Sequence, residues 1–259
     1  MKDKFNLSKK DLKDFLDEKY ELYNRPSFIA SDPISIPHRF TKKEDIEIAA
    51  FFAATIAWGQ RPTILRNATK LMDLMDNEPY QFIMNSNKND WKIFKGFVHR
   101  TFNETDVVYF IQSLQNIYHH HRGLEGTFSE KSKKDIKTGI HHFRQQFLEI
   151  NPTSRTAKHI ANVEKNASAK RLNMFLRWMV RKDKLGVDFG IWNSISPALL
   201  YCPLDLHSGR VARKLGLLHR TQDDWKAVHE LTVNLRTLDP KDPVKYDFAL
   251  FGLGVFEKF

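Results

Sequence analysis

Residues 203–216 read PLDLHSGRVARKLG and form the most distinctive local pattern of the chain. Asp205 stands where an amphipathic helix is expected to begin, and its carboxylate can accept hydrogen bonds from the free amides of the first turn. Those amides and the helix dipole favour the ionised carboxylate. His207, Arg210 and Arg213 follow within the next turns. Because a helix start with cationic side chains suits phosphate groups, the stretch predicts a fixed carboxylate beside an anion-binding surface.

The sequence on either side of this stretch has mainly the period of α-helices. Helical patterns cover residues 8–24, 44–58, 63–75, 79–85, 104–120, 133–150, 156–164, 168–181, 222–238 and 243–256. Residues 44–58 are apolar on nearly every side, which is typical of a buried helix. Three prolines predict a loop over residues 25–43, and residues 91–102 fit either a helix or a strand. With few strand signals elsewhere, the sequence predicts an all-α fold.

The chain carries a large positive charge. Lys and Arg total 41 against 31 Asp and Glu, which gives a net charge of +10 over 259 residues. A basic surface attracts polyanions through phosphate contacts and counterion release. The charge therefore favours a nucleic-acid partner, although a basic protein with no such partner has the same composition.

Cysteine and apolar content indicate the compartment. Cys202 is the single cysteine, so neither an intrachain disulfide nor a cysteine-based metal site is predicted. The N-terminal residues lack the apolar core of a signal peptide, and the longest apolar stretch, near residues 48–58, is too short to cross a bilayer. Consecutive histidines at 119–121 and 141–142 point in different directions on a helix, which disfavours a metal site there. We expect a cytoplasmic, nucleoid-associated monomer without a membrane partner or a cofactor.

Residues 203–216 resemble the aspartate-bearing motif of the helix-hairpin-helix DNA glycosylase superfamily, V-D-T-H-x-x-R-V-x-x-R-L-G. Asp205, His207, Arg210, Val211, Leu215 and Gly216 fall in register with that motif, and Arg213 lies one residue before the position of its second arginine. The resemblance implies that Asp205 stabilises a cationic sugar in the transition state or helps to activate the nucleophile. It also implies that the histidine and the two arginines contact DNA.

A second stretch, residues 49–60, reads AAFFAATIAWGQ and is similar to the early buried helix of the same superfamily. That helix ends in a Ser/Ala-Gln segment near the DNA. The resemblance implies that Gln60 touches the extruded base or fills the gap left in the duplex, that Trp58 stacks on a base, and that Arg61 contacts DNA. The alternative is a core tryptophan and a glutamine at a helix end.

The predicted nucleophile depends on a closer resemblance. Many superfamily members carry a lysine in an L-P-G-V-G-x-K hairpin. Here LGVDFGIW, residues 185–192, keeps two glycines and has Val187 at the matching place, which predicts a degenerate hairpin. The archaeal oxoguanine glycosylase branch instead has its lysine on a helix, and residues 169–179, AKRLNMFLRWM, are similar to it. The chain also resembles a related uncharacterised bacterial family over most of its length, including residues 242–256.

This second resemblance assigns the nucleophile to Lys170. Base excision with strand incision needs an amine that attacks C1′ and forms a Schiff base, and burial or a cationic neighbour favours a free amine. Arg171 and Arg177 would supply positive charge nearby. Lys184 is the second candidate, and an exposed lysine at a helix start is the alternative reading of Lys170.

Two further aspartates lie in apolar surroundings. Asp188 stands in GVDFG and Asp247 in KYDFALF. A carboxylate in such surroundings must be hydrogen-bonded or protonated. Either residue could read a base edge or tie a loop to a helix, and Asp188 is the substrate-binding candidate.

The resemblance implies a two-lobed helical fold, with lobe A at about residues 44–150 and lobe B at about 1–43 plus 155–259. The cleft would hold Lys170, Asp205 and Gln60. The implied activity is a DNA N-glycosylase that flips and excises a modified base from double-stranded DNA, oxidised guanine being the first candidate. Whether it is also an AP lyase is left open. The alternatives are a non-catalytic DNA-binding protein of the same fold and a helical RNA- or protein-interaction domain.

Overall fold

The computed structural model describes residues 7–133, 135–150 and 154–259, and it is mostly helical. The α-helices are α1 (Lys9–Tyr23), α2 (Pro26–Ile29), α3 (Lys43–Thr55), α4 (Arg61–Asp73), α5 (Pro79–Asn85), α6 (Glu104–His120), α7 (Gly123–Ser129), α8 (Ile136–Phe147), α9 (Ser154–Ala157), α10 (Lys170–Val180), α11 (Leu206–Lys214), α12 (Trp225–Leu238) and α13 (Tyr246–Val255). Short 3-10 turns lie at Pro33–Ser35, Pro37–Arg39, Asp90–Phe94, Val163–Lys165, Pro197–Leu199 and Pro243–Lys245. Strands β1 (Val98–His99) and β2 (Phe102–Asn103) form an antiparallel hairpin in which Val98 lies opposite Asn103.

The predicted all-α class is confirmed to the extent that helices dominate, and most of them lie where the periodicity placed them. α1 begins after Ser8, whose hydroxyl oxygen accepts a hydrogen bond from the Asp11 amide (3.1 Å). The helix predicted for residues 156–164 is wrong beyond Ala157, the last residue of α9, because the chain then forms turns and the 3-10 turn at Val163–Lys165. Residues 91–102 form a 3-10 turn and the hairpin, and α7 was not anticipated. Residue 134 of the helix predicted for 133–150, and the N-terminal residues inspected for a signal peptide, lie outside the described residues.

The chain divides into two compact units. The first unit combines the described residues of Met1–Phe28 with Asn162–Phe259, and the second unit is Ile29–Ala161. Residues 29–43 and 155–161, which we expected in the outer lobe, therefore fall in the second unit. Residues 29–43 belong to the second unit because their 3-10 turns at Pro33–Ser35 and Pro37–Arg39 pack against α3. This packing buries Ile34 and Ile36.

The core of the second unit is built around α3. Every residue from Ile46 to Thr55 is buried, as its apolar sequence predicts. Phe51 stacks on Phe110 (ring centroids 5.6 Å apart) and meets Phe147 at 5.5 Å. Burying one phenylalanine contributes roughly 1.5–3 kcal/mol, so this aromatic cluster is a large part of the driving force for folding the unit.

In the first unit, α13 packs between α1 and α11. Two helical glycines allow the close approach. A Cβ atom on Gly252 would lie 2.1 Å from the Tyr23 ring, and one on Gly254 would lie 3.0 Å from the Cβ of His207. Contact with α13 therefore fixes the N-terminal turn of α11, where Asp205 lies. Among the described helices, none is both long and apolar enough to cross a membrane.

Candidate active site

The first unit brings together the two residues that the sequence predicted to act as a pair. Lys170 is the first residue of α10, and Asp205 is the N-cap of α11. Lys170 Nζ lies 3.1 Å from Asp205 Oδ2, and the two side chains are 33% and 17% exposed. The two side-chain groups are thus held in contact at a position that solvent can reach.

The carboxylate of Asp205 is fixed by the start of its own helix. Oδ1 accepts hydrogen bonds from the amides of His207 (2.8 Å) and Ser208 (2.9 Å), and the Ser208 hydroxyl accepts one from the Asp205 amide (2.9 Å). One oxygen therefore caps the helix while the other faces Lys170. Burial opposes ionisation of this carboxyl, but the Lys170 ammonium and the two backbone amides outweigh it and lower the pKa of Asp205 below its ordinary value of 3.8. Asp205 is an anion at neutral pH.

The backbone also fixes the start of α10. Ala169, the residue before Lys170, has a φ of 50°, in the left-handed region that residues with a Cβ rarely adopt. The next residue, Arg171, is half-buried, and desolvation lowers the pKa of its guanidinium to about 10. The chain turns sharply here, so that Lys170 projects from the helix end with its backbone held.

Arg177, which we expected to supply positive charge near Lys170, is engaged elsewhere. Its Nε donates to Asp188 Oδ1 (3.2 Å), its Nη1 forms an ion pair with Asp247, and its guanidinium lies over the Phe248 ring at 4.2 Å. The two carboxylates offset its charge. The expected cationic environment of Lys170 therefore does not come from this residue.

Asp247 lies in an apolar stretch of the sequence and is not among the predicted site residues. Its side chain is 9% exposed. Burial raises the pKa of Asp247 to about 6, the Arg177 and Lys170 charges lower it, and the Asp205 charge raises it further. The charges of the Lys170–Asp205 pair thus act on a second carboxyl that titrates much closer to neutral pH. The signal in the sequence was an aspartate among aromatic and aliphatic residues.

Asp188, the predicted substrate-binding residue, has a fully buried side chain. Its oxygens accept hydrogen bonds from Arg177 (3.2 Å) and from Arg181 Nη1 (3.1 Å). Arg181 also pairs with Asp183 (2.6 Å) and Asp242 (2.9 Å). We considered two roles for Asp188, reading a base edge and tying a loop to a helix. Its buried contacts with two arginines are those of a residue that ties a loop to a helix.

The glycine-containing segment after α10 folds back on that helix. The amides of Phe189 and Trp192 donate to the carbonyls of Trp178 (2.8 Å) and Met179 (2.9 Å). Gly190 has a φ of 56°, and a Cβ there would lie 2.6 Å from the Cβ of Lys182, so glycine is required. In this fully described segment, no α-helix begins before Leu206. Lys184, the second candidate nucleophile, is exposed on the segment, whereas Lys170 contacts Asp205.

The predicted DNA-contacting residues of α11 differ in exposure and in the contacts that they already make within the protein. His207 and Arg210 are exposed, and Arg210 Nη2 donates to the Gly254 carbonyl (3.0 Å). Arg213 forms an ion pair with Asp223 (2.6 Å) and would have to exchange it for a phosphate. Leu206, the first residue of α11, is 74% exposed, so an apolar side chain stands beside Asp205 where the superfamily motif has threonine.

Trp58, Gln60 and Arg61 belong to the second unit. The half-buried Trp58 ring stacks on His159 (6.0 Å between centroids) and meets His99 edge-on. Gln60 is exposed at the N-cap of α4, and its side chain makes no capping hydrogen bond. Arg61 Nη2 lies 3.9 Å from Asp32. The amide of Gln60 is thus not used to cap the helix that it precedes.

In the parts of the chain that the structure describes, no group of three or more His, Cys, Asp or Glu side chains is arranged to hold a metal ion. His121, from the histidine run, is paired with Glu149 (2.9 Å). Cys202, three residues before Asp205, is fully buried, and burial raises the pKa of its thiol well above the ordinary value. Its amide donates to the Thr232 hydroxyl (3.0 Å), which anchors the approach to α11.

Neither the curated proteins nor the solved structures include a significant match to this chain. A family model does match, over residues 32–256, which is most of the sequence and contains every candidate site residue discussed above. By this match, the chain belongs to the family described as "Protein of unknown function (DUF2400)".

Proposed function

We propose that the protein is a DNA N-glycosylase of helix-hairpin-helix type that excises a modified base and cuts the strand as an AP lyase. The observation that carries the proposal is the contact between Lys170 Nζ and Asp205 Oδ2 at 3.1 Å, with both side chains partly exposed. An amine beside a fixed anion is the pair of groups that this chemistry uses.

The proposed reaction begins with loss of a proton from the Lys170 ammonium. The free amine attacks C1′ as the glycosidic C–N bond breaks, and the base leaves with the bonding electrons and takes up a proton. The nitrogen, now bonded to C1′, then gives up a proton, the C1′–O4′ bond breaks, and O4′ takes up a proton, which opens the sugar and leaves the Schiff base between C1′ and Lys170. Asp205, which the helix amides keep ionised, would stabilise the positive charge that develops on the sugar.

The proposed substrate is a nucleotide flipped out of a duplex. The glycosidic bond cannot be reached inside the stack, and unstacking costs a few kcal/mol, least for a damaged or mispaired base. We propose oxidised guanine as the first base to test. The exposed His207 and Arg210 would contact phosphates of the same strand.

Borohydride trapping tests the proposal. Duplexes that each carry one modified base are incubated with the protein and reduced, and the covalent adduct is measured by its shift in mobility. The wild-type protein should form an adduct with at least one lesion. Lys170→Gln should lose the adduct and keep DNA binding within about threefold, because one cation among several contributes little to affinity. Lys184→Gln is the matched control and should keep the adduct.

Other outcomes separate the alternatives. An adduct that survives in Lys170→Gln and disappears in Lys184→Gln would move the nucleophile to the glycine-containing segment. Base release without any adduct would indicate a monofunctional enzyme that uses water and Asp205. DNA binding with neither adduct nor base release across the lesion series would contradict the enzyme proposal and favour a non-catalytic DNA-binding protein.

A further inference from the structure

A groove of about 560 Å³ lies in the second unit, between the 3-10 turn at Asp90–Phe94 and one face of α6. This volume falls within the range of roughly 300–1,000 Å³ that is usual for binding pockets. Thr105, Val108, Tyr109 and Gln112 line it from α6, at the spacing of successive turns on one helix face. None of the candidate active-site residues contributes to the groove, so it is a separate feature of the molecule.

The floor of the groove is apolar and firmly held. Trp91 and Tyr109 form it together with Val108. The polar atoms of the two aromatic side chains are satisfied from within the protein, because Trp91 Nε1 donates to the Ser86 hydroxyl (2.9 Å) and the Tyr109 hydroxyl to the Phe147 carbonyl (3.2 Å). The lining also includes the polar side chains of Thr105, Gln112 and Thr156, but most of its surface is apolar, which favours an apolar side chain as its occupant.

The rim of the groove is positively charged. Lys88, Lys92 and Lys95 line it and are exposed. Within residues 7–133, 135–150 and 154–259, none of the three forms an ion pair with a carboxylate, and Lys92 donates only to the Asn89 side chain (3.0 Å). Glu104 is the single acidic residue of the lining, and its carboxylate accepts a hydrogen bond from the Gly96 amide. Three cations against one anion favour a negatively charged partner.

We propose that this groove binds an acidic peptide segment of a partner protein through one apolar side chain on the floor and carboxylates on the rim lysines. A nucleic-acid strand fits the same charge less well, because base stacking needs an open aromatic face. Trp91 and Tyr109 are only 9% and 8% exposed, so neither ring offers such a face. An extended peptide uses the groove differently, with its anchor buried and its charges at the edge. This partner site goes beyond the proposed glycosylase activity and does not depend on it.

Fluorescence anisotropy with two labelled peptides tests the apolar anchor. Both are short runs of Asp and Glu, and they differ only in a central Phe or Ser. The Phe peptide should bind at least about tenfold more tightly, because burying its ring is worth that factor or more. Equal affinities for the two peptides would show attraction to net charge alone and would overturn the proposal.

Charge-reversal variants locate the site. The triple variant Lys88→Glu, Lys92→Glu, Lys95→Glu should weaken binding of the Phe peptide at least about tenfold at low salt. The control triple Lys70→Glu, Lys133→Glu, Lys158→Glu changes the net charge equally at exposed lysines of the same unit that do not line the groove, and it should keep most of the affinity. An equal loss in both triples would contradict the site.

A third variant fills the groove without changing its charge. Thr105→Trp, at an exposed lining position, should remove the preference for the Phe peptide over the Ser peptide. A thymidine oligonucleotide serves as the competitor. If the oligonucleotide displaces the Phe peptide and its own binding is lost in the groove triple, the groove is a nucleic-acid site and the peptide proposal fails.

Discussion

At the scale of single residues, the central feature is that the two carboxylate oxygens of Asp205 make different contacts. Oδ1 accepts the amides of the first turn of α11, and Oδ2 faces Lys170. An Asn at this position can keep the first function, because Asn caps helices about as well as Asp. It cannot keep the second, since its amide carries no charge.

We therefore predict that Asp205→Asn folds but loses activity. The free energy of unfolding should fall by about 1 kcal/mol or less, the usual worth of a partly exposed ion pair. Base release in single turnover should fall by roughly 10²-fold or more, because the missing charge acts in the transition state. Asp205→Ala is the comparison variant, and it should lose an additional 0.5–2 kcal/mol, roughly, with the cap. Unchanged turnover in Asp205→Asn would rule out its catalytic role.

Asp247 gives a prediction about pH. Its pKa is raised from 3.8 to about 6, so the folded state binds more protons than the unfolded state between these values. Its contribution to stability must therefore decrease as the pH rises from 3.8 to about 6. Asp205 acts in the opposite sense, because its lowered pKa gives stability that is lost only as the pH falls below its ordinary value of 3.8.

The measurement is urea unfolding of the wild type and Asp247→Asn at a series of pH values. The amide of the variant does not titrate, so its stability should lack the pH dependence that Asp247 gives the wild type. The decisive quantity is the unfolding free energy of the wild type minus that of the variant, which should decrease as the pH rises from 3.8 to about 6 and then stay constant. A difference that does not change with pH would refute the raised pKa.

The residues of the site were predictable to different degrees. A lysine at a helix start and an aspartate at an N-cap can both be read from local pattern, and their resemblance to a known motif suggested that they meet. The surroundings of Asp247 could not be read in this way, because its partner Arg177 stands 70 positions away and the contact exists only in the fold. For the same reason, the sequence suggested that Arg177 would supply positive charge near Lys170. In the structure, Asp188 and Asp247 offset that charge.

At the scale of elements, the close packing of α13 on α1 depends on a glycine. The Tyr23 ring lies against Gly252, stacks on Phe256 (5.5 Å between centroids) and donates its hydroxyl to Glu257 (2.5 Å). Because the ring is held on several sides, it cannot move aside cheaply for a new methyl group. Alanine would gain up to about 1 kcal/mol in helix propensity, which is less than the usual cost of overpacking, roughly 1–3 kcal/mol.

We predict that Gly252→Ala destabilises the protein by about 1–2 kcal/mol in thermal or urea unfolding, the overpacking term exceeding the gain in propensity. A double-mutant cycle with Tyr23→Ala checks the cause. In that background the added methyl group meets no ring, so the same substitution should become neutral or stabilising. An equal cost in both backgrounds would mean that the Tyr23 contact is not responsible.

The prediction for α1 was accurate because a capping serine and an apolar stripe agreed there. The helix predicted for residues 156–164 does not continue beyond Ala157, because long-range contacts determine the backbone there. Arg155 Nη2 lies 3.1 Å from the buried carboxylate of Asp106, and the Thr156 hydroxyl donates to the same group (2.9 Å). The side chain of Asn162 then caps the 3-10 turn that follows. Such contacts outweigh the weak helical preference of the segment.

At the scale of the whole molecule, the net charge of +10 predicts salt-sensitive binding to duplex DNA. If several phosphates are neutralised, affinity should fall by about 10³-fold or more between roughly 50 and 200 mM salt. Arg210→Ala should reduce the slope of log affinity against log salt by about one unit. Affinity that stays flat over this range would contradict the DNA-binding proposal.

The two units of the molecule have boundaries that local sequence does not mark. The sequence predicts a middle block of helices at about residues 44–150, and the structure divides into Ile29–Ala161 and a unit that combines the described residues of Met1–Phe28 with Asn162–Phe259. Residues 29–43 look like a loop in the sequence because of their prolines. Nothing local reveals that this loop packs its isoleucines against α3.

The buried Cys202 can report local opening of the segment that leads into Asp205. A thiol reagent reacts with an exposed thiolate, and this side chain is fully enclosed. Labelling therefore has to wait until the segment that leads into Asp205 opens, and its rate reports the free energy of that local opening. Cys202 is the single cysteine of the chain, so the natural residue serves as the probe and no cysteine has to be introduced or removed. Any ligand that binds the closed segment will slow the labelling of Cys202. The labelling rate therefore measures how much of the protein has ligand bound, without an assay of turnover.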